Sequence, residues 1–259
     1  MNDKRGKLTV YIPCFNEGGN VERVLKQIQN FQETKKNYIQ EINFILFDDG
    51  SNDGSMDNID IRIKKYNIES ITVYRNEFNL GLNFIERKIS NVDSDFVLGL
   101  PGDLRYKIDT ISIFYDQILK HGLKNDVYFF SDSKDRRGRI RQAASQIVNL
   151  LVRIIYIGEK VNKVPKNVGL ICIKPKYFKL KSKQFPSWSS TPFYKYLMYN
   201  RLITIRAIDY ENRDERRYSL YENILLIKRI NQVLKSFFLL IKYRKEINEK
   251  LFIAKNIHI

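Results

Sequence analysis

The sequence predicts an α/β fold, an open and mainly parallel sheet wound with helices on both faces. Three observations carry this expectation. Short β-branched and aromatic runs alternate with helical patterns through the first half of the chain. Those runs are nearly continuous in apolar residues, as strands covered on both faces require. The composition, 259 residues with 43% hydrophobic and 29% charged, is that of a folded chain long enough for one α/β domain with a real core.

The elements follow in order. Leu8–Cys14 (LTVYIPC), Ile42–Phe47 (INFILF), Ile71–Tyr74 (ITVY) and Phe96–Leu100 (FVLGL) read as strands. Between the first two, Asn20 stands as an N-cap before Val21, Val24, Leu25, Ile28 and Phe31 at helical spacing. Weaker helical patterns cover 57–66, 81–91 and 108–120. Val127–Ser131, Val168–Ile173 and Ile203–Ile208 read as further strands, and Ile140–Ile157 as a long helix with Ile147, Val148, Leu151, Ile154 and Ile155 on one side. From Ser219 to Lys245 the pattern is helical again, with apolar residues crowded between lysines and arginines. Right-handed crossovers in such an order place ligands beyond the carboxyl ends of the strands. The chemistry is therefore expected just after residues 14, 47 and 100.

Cys14 and Cys172 each lie inside an apolar run and read as reduced core residues. Two histidines, His121 and His258, and no cysteine cluster exclude a structural zinc or multi-histidine site. The polar start, Asn2 to Arg5, and an apolar stretch no longer than Phe237–Ile241 point to a cytoplasmic chain without a signal or a membrane span.

The net charge of +16 is uneven. Residues 1–130 hold 17 Lys+Arg against 19 Asp+Glu, and residues 131–259 hold 28 against 10, a balance of +18. Two surfaces with different partners follow, the basic one suited to nucleic acid, an anionic membrane or a phosphorylated acceptor. A uniformly lysine-rich proteome would give the same excess.

Carboxylates crowd the expected strand ends: Glu17 in Pro13-Cys14-Phe15-Asn16-Glu17, then Asp48 and Asp49 before Gly50, then Asp103 after Pro101-Gly102. Such a cluster is costly unless hydrogen-bond donors or a cation sit among it. A nucleotide sugar supplies both, through its base and ribose and through the cation on its diphosphate. An Asx turn capping the next helix accounts equally well for 48–53 taken alone.

Taken together, IPCFNEGGNVERVL, FILFDDGSNDGS, RNEFNLGLNF and SDFVLGLPGD resemble the family 2 glycosyltransferases of the GT-A fold. The nearest branch is that of polyprenyl-phosphate sugar transferases, echoed more weakly by Arg141, Ser145, Asn149 and Arg153 at four-residue spacing. The resemblance implies a GT-A domain over 1–218, with a nucleotide-sugar half at 1–105 and an acceptor half at 106–218, followed by a basic amphipathic helical tail at 219–259. It implies an inverting transfer from a UDP- or GDP-sugar, most simply to a polyprenyl phosphate, by an enzyme peripheral to the inner face of the cytoplasmic membrane. A saccharide hydroxyl in surface-polysaccharide synthesis is the alternative acceptor.

Residue by residue, the resemblance puts Pro13, Phe15 and Glu17 in the nucleoside pocket, with Asp48 accepting from the base. Asp49 supports the loop or the ribose, and Gly50 and Gly102 let backbone approach the donor. Asp103 is the aspartate of a D-x-D-like element holding Mg²⁺ or Mn²⁺ on the diphosphate. Pro101 and Arg105 depart from the family pattern there, and Arg105 could instead contact the diphosphate directly. Leu80-Gly81-Leu82-Asn83 is bulkier than the family's glycine-rich segment.

On the acceptor side, Asp132, Asp135 and Glu159 are the acids of residues 131–200, against Arg136, Arg137, Arg139, Arg141 and Arg153 among the cations. A phosphate acceptor needs cations where a hydroxyl needs a base. Arg141 and Ser145 match the branch's acceptor-phosphate positions, although Asp132 falls where the branch tends to carry another arginine. Arg213, or Arg216, stands for the arginine that clamps the diphosphate. Phe237, Phe238, Leu239 and Leu240 between lysines suit a membrane interface, a helix packed on the sheet, or a dimer contact. A nucleic-acid-binding module and a nucleotide-binding pseudo-enzyme are the readings from other classes. The first leaves the strand-end carboxylates unexplained.

Overall fold

The computed structural model describes residues 6–39, 41–104, 106–131, 146–147, 150, 168–180, 205–209, 234–235, 237–246 and 249. The strands are β1 (Leu8–Cys14), β2 (Ile42–Asp48), β3 (Ile71–Arg75), β4 (Phe96–Gly99), β5 (Val127–Ser131), β6 (Val168–Ile173) and β7 (Ile205–Asp209). The helices are α1 (Asn20–Thr34), α2 (Lys36–Ile39), α3 (Ile59–Lys65), α4 (Leu82–Ile89) and α5 (Thr110–His121). Among the described residues the strands form one seven-stranded sheet, in the order β3-β2-β1-β4-β6-β5-β7. Pairing is parallel throughout β3-β2-β1-β4 and again at β5-β7. It is antiparallel only where β6 sits between β4 and β5. The mainly parallel mixed sheet is the one the sequence predicts.

Two apolar layers cover the sheet, and the period-2 alternation of its strands divides residues between them. Val10, Ile12, Phe44, Leu46, Phe96, Leu98, Tyr128 and Phe130 belong to one cluster with Val24, Ile28 and Phe31 of α1 and Phe114 and Ile118 of α5. Tyr11, Ile45, Phe47, Val97, Val127 and Phe129 belong to the other, with Ile85 and Ile89 of α4, Tyr177 and Phe178, and Leu239 and Leu240. Helices on both faces leave β1, β2 and β4 almost wholly buried, so their sequences read as nearly continuous apolar runs, while the edge strand β3 is intermediate or exposed at every residue. Each fully buried side chain of this kind contributes about 1.5–3 kcal/mol.

One detail differs from expectation. Gly19, not Asn20, holds the N-cap position of α1, without a side-chain cap; Asn20 is the first helical residue, its Nδ2 donating to Glu17 Oε2 at 3.2 Å and its Oδ1 accepting from Arg23 Nη1 at 3.2 Å. The last described strand covers Ile205–Asp209, and residues 203 and 204 of the expected span lie outside the described residues. Cys14 and Cys172 are both buried free thiols.

Candidate active site

The order β2-β1-β4 sets three strand ends side by side, and the loops leaving them carry the acidic residues. Cys14, the last residue of β1, pairs in register with Asp48, the last of β2. The backbone continues the alignment, since Asp49 N donates to Cys14 O at 2.9 Å. On the other side, Gly102 is packed so tightly that a Cβ there would lie 2.7 Å from Pro13 O, 3.2 Å from Cys14 Sγ and 3.5 Å from Glu17 Cγ. Burial first, and then the negative charges of Glu17 and Asp48, push the Cys14 thiol far above its usual value. One buried thiol thus has Glu17, Asp48 and the Gly102 turn around it. The three acidic strand ends converge.

Hydrogen bonds between loops hold this geometry. Asn16, in the left-handed region at φ 53°, donates its N–H to Ser51 Oγ (3.2 Å) and accepts from Asn52 N at Oδ1 (2.9 Å). Gly18 N donates to Asp53 Oδ2 at 3.0 Å. The loop after β1 and the loop after β2 are therefore stapled at three points. Asp48, 6% exposed, accepts from Ser51 N at 2.9 Å, and Asp53 accepts from Ser55 N at 2.9 Å. Both are local turn contacts of the Asx type. The same residues thus serve the turn and, in Asp53, the link to the first loop.

Asp49 is 4% exposed and accepts from Asn76 Nδ2 (2.8 Å), Leu80 N (2.9 Å) and Gly81 N (2.8 Å). Of its two expected roles, loop support is the one its hydrogen bonds perform. Gly50 lies against that same loop at φ 79°, where a Cβ would come within 2.5 Å of the Phe78 carbonyl carbon. Asn76 and Asn20 are positioning residues that the motif reading passed over. For Asn20 the signal was an amide three residues from the Glu17 carboxylate, whereas Asn76 lies 27 residues from Asp49, where no local signal points to it.

Asp103 is half-buried in the turn Pro101–Leu104, closed by Leu104 N donating to Pro101 O at 3.2 Å. Leu104, buried and at φ 54°, takes a left-handed conformation that costs a non-glycine residue about 1–2 kcal/mol. Strain of this kind persists where the surroundings over-determine it, and it lies directly beside Asp103. Pro13 is half-buried and Phe15 is 44% exposed at the rim. Arg105, Arg141, Ser145 and Arg213 lie outside the described residues.

For a divalent ion, the described residues gather no group of three His, Cys, Asp or Glu side chains. Asp103 follows Gly102, which packs against Glu17, so carboxylate oxygens are the hard donors on offer at this turn. A sparse set of this kind fits Mg²⁺ or Mn²⁺, which keep water ligands and take others from substrate phosphates.

Because Gly102 has backbone against its missing Cβ, Gly102→Ala is expected to displace the 101–104 turn. Donor KM should rise several-fold, with a stability loss of about 1–3 kcal/mol. Steady-state kinetics alongside urea denaturation read both effects. Unchanged kinetics would mean that the turn does not border the donor.

Comparisons with known proteins agree with this architecture. Residues 9–182 match the family model described as glycosyl transferase family 2. Over 91 residues the chain is 31% identical to the dolichyl N-acetyl-alpha-D-glucosaminyl phosphate 3-beta-D-2,3-diacetamido-2,3-dideoxy-beta-D-glucuronosyltransferase of Methanococcus voltae. That match spans 35% of this chain and 27% of the relative, so the chain is matched over about a quarter of that protein's length. Mannosyl-3-phosphoglycerate synthase from Rubrobacter xylanophilus superposes with a TM-score of 0.61 at 15% identity, over 93% of this chain and 75% of that one. Glucosyl-3-phosphoglycerate synthase from Mycobacterium tuberculosis, in complex with Mn²⁺, UDP-glucose and phosphoglyceric acid, does so at 0.60 and 15% identity, over 90% and 79%. At that identity the likeness is one of fold.

Proposed function

The chain belongs to glycosyl transferase family 2, and from that premise we propose that it moves a sugar, with inversion, from a nucleoside-diphosphate sugar to a polyprenyl phosphate. The observation that carries the donor half is the meeting of Glu17, Asp48 and the Gly102–Asp103 turn around Cys14. Glu17, steadied by Asn20, accepts from the ribose or base, and Asp48 accepts from the base. Asp103 would hold a divalent ion, which would supply Lewis-acid stabilisation of the departing diphosphate. In one displacement the acceptor oxygen forms its bond to the anomeric carbon as the bond to the diphosphate oxygen breaks. The Mn²⁺ and UDP-glucose of the mycobacterial synthase support a metal-assisted nucleotide-sugar reading.

The acceptor half is supported by the +18 balance of residues 131–259 and by the relative from Methanococcus voltae, whose name specifies a dolichyl phosphate carrying a sugar. The same name favours a second reading, in which the attacking group is a hydroxyl of a saccharide already on the lipid phosphate. Polyprenyl phosphate with and without a first sugar, offered as alternative acceptors, separates the two.

The donor reading is tested by thermal shift with UDP-, GDP- and dTDP-sugars, with and without Mn²⁺. A ligand at 100 times its Kd stabilises the folded state by about 2.7 kcal/mol. For a domain of this size, each kcal/mol raises Tm by about 2–4 °C. One nucleotide should stand out, more strongly with Mn²⁺. No shift from any donor would overturn the reading.

A further inference from the structure

We propose that the helical residues near the carboxyl end dock the chain on an anionic lipid surface through the stripe Leu234, Phe238 and Ile241. Residues 234–235 and 237–246 are helical. The inner side of this stretch is already used: Phe237, Leu239 and Leu240 are 5%, 9% and 0% exposed, and Leu239, Leu240 and Tyr243 pack in the second core layer. Phe238 is 72% exposed, Ile241 53% and Leu234 41%. Positions 234, 238 and 241 follow i, i+4, i+7 and line one face of a helix. The sequence left three uses open for Phe237, Phe238, Leu239 and Leu240. The fold divides them, three to the core and Phe238 to the outside.

The polar flank of the stripe decides its occupant. Lys235, Lys242, Arg244 and Lys245 are all exposed, and the half of the chain that bears them has a balance of +18. An aromatic and aliphatic stripe bordered by lysines and arginines matches an interfacial helix, its apolar face among the acyl chains and its cations at anionic headgroups. A second copy would bring the same cations to face these, on a chain already at +16, so self-association through this stripe works against its own charge. Among the described residues no helix is long and apolar enough to cross a membrane. The inference is drawn from the helix itself and stands whether or not the acceptor is a lipid phosphate.

The test is co-sedimentation of the full chain with vesicles of mixed phosphatidylglycerol and phosphatidylcholine, against pure phosphatidylcholine, at low and high salt. The chain should pellet with the anionic vesicles and be released by salt. Phe238→Ser with Ile241→Ser should lower the partition coefficient about tenfold or more, as the loss of two large apolar side chains from the interface requires. Both side chains are mostly exposed, so Tm should hold. Lys235→Glu with Lys242→Glu, on one polar flank, should weaken binding to the anionic vesicles alone. Equal partitioning onto neutral vesicles would overturn the proposal, as would serine variants that pellet like the parent. A sedimentation-velocity change from dimer to monomer in the serine variants, with vesicle binding intact, would assign the stripe to a second copy instead. Because vesicle binding is read without turnover, failure here is distinct from failure of the transferase reading.

Discussion

Asp103→Ala is expected to lower turnover by about 10²–10³-fold. The size follows from removing a preorganised charge that acts where negative charge gathers on the departing diphosphate. The turn that carries Asp103 is held in two ways that the substitution leaves in place. Its closure is a backbone bond from Leu104 N to Pro101 O, and its approach to β1 is fixed by Gly102 against Pro13 O and Cys14 Sγ. Neither contact uses the Asp103 side chain. Asp103→Asn keeps the shape and removes the charge, so it should lose most of the same activity. In both variants the extra thermal shift that Mn²⁺ gives with the preferred nucleotide should vanish, while the metal-free shift remains. Unchanged kcat/KM in Asp103→Ala would take this carboxylate out of the reaction.

The sheet was legible because its signals are local and its central strands are buried on both faces. Leu8–Cys14, Val127–Ser131 and Val168–Ile173 form strands with the bounds their apolar runs predict, and Ile42–Phe47 and Ile71–Tyr74 each gain one residue. Helix positions were legible from Val21, Val24, Leu25, Ile28 and Phe31, all fully buried. What the runs could not give is which strand lies beside which. The placement of β6 between β4 and β5 comes from pairing across residues far apart in the chain, about which period and propensity carry no information. At the site, sequence identified which carboxylates stand at strand ends and left their division of labour open. Asp48 and Asp49 are adjacent and equally buried, yet Asp48 serves its own turn through Ser51 and Asp49 serves a loop some thirty residues away. Successive residues of an extended segment point opposite ways, so neighbours in sequence meet different partners. Asn20 differs from a cap for a related reason: it stands one residue inside α1, where its Nδ2 donates to Glu17 and its Oδ1, the atom a cap would use, accepts from Arg23 Nη1.

Asp49→Ala should be the most destabilising of the site substitutions, at about 3 kcal/mol or more by urea denaturation. The buried carboxylate accepts from Asn76 Nδ2, Leu80 N and Gly81 N, and its removal leaves two backbone donors and an amide without their acceptor. Each unsatisfied buried group costs about 1–3 kcal/mol, less whatever water recovers as the 76–81 loop relaxes. Asp49→Asn keeps an acceptor oxygen but sets an NH₂ against N–H donors, so it should recover only a fraction. Asp48→Ala, with one turn contact from Ser51 N, should cost less stability and more nucleotide affinity. A second substitution shows whether the loop is the reason. Gly50→Ala presses a Cβ against the Phe78 backbone at a φ of 79°, which strains the same contact between the 48–50 turn and the 76–81 loop. Once Asp49→Ala has released that loop, the added methyl has room, so the double variant should lose clearly less than the two single losses together. Strict additivity would mean that Asp49 stabilises the fold by some route other than this loop, and a loss below about 1 kcal/mol in Asp49→Ala would mean that its three hydrogen bonds are readily replaced by water.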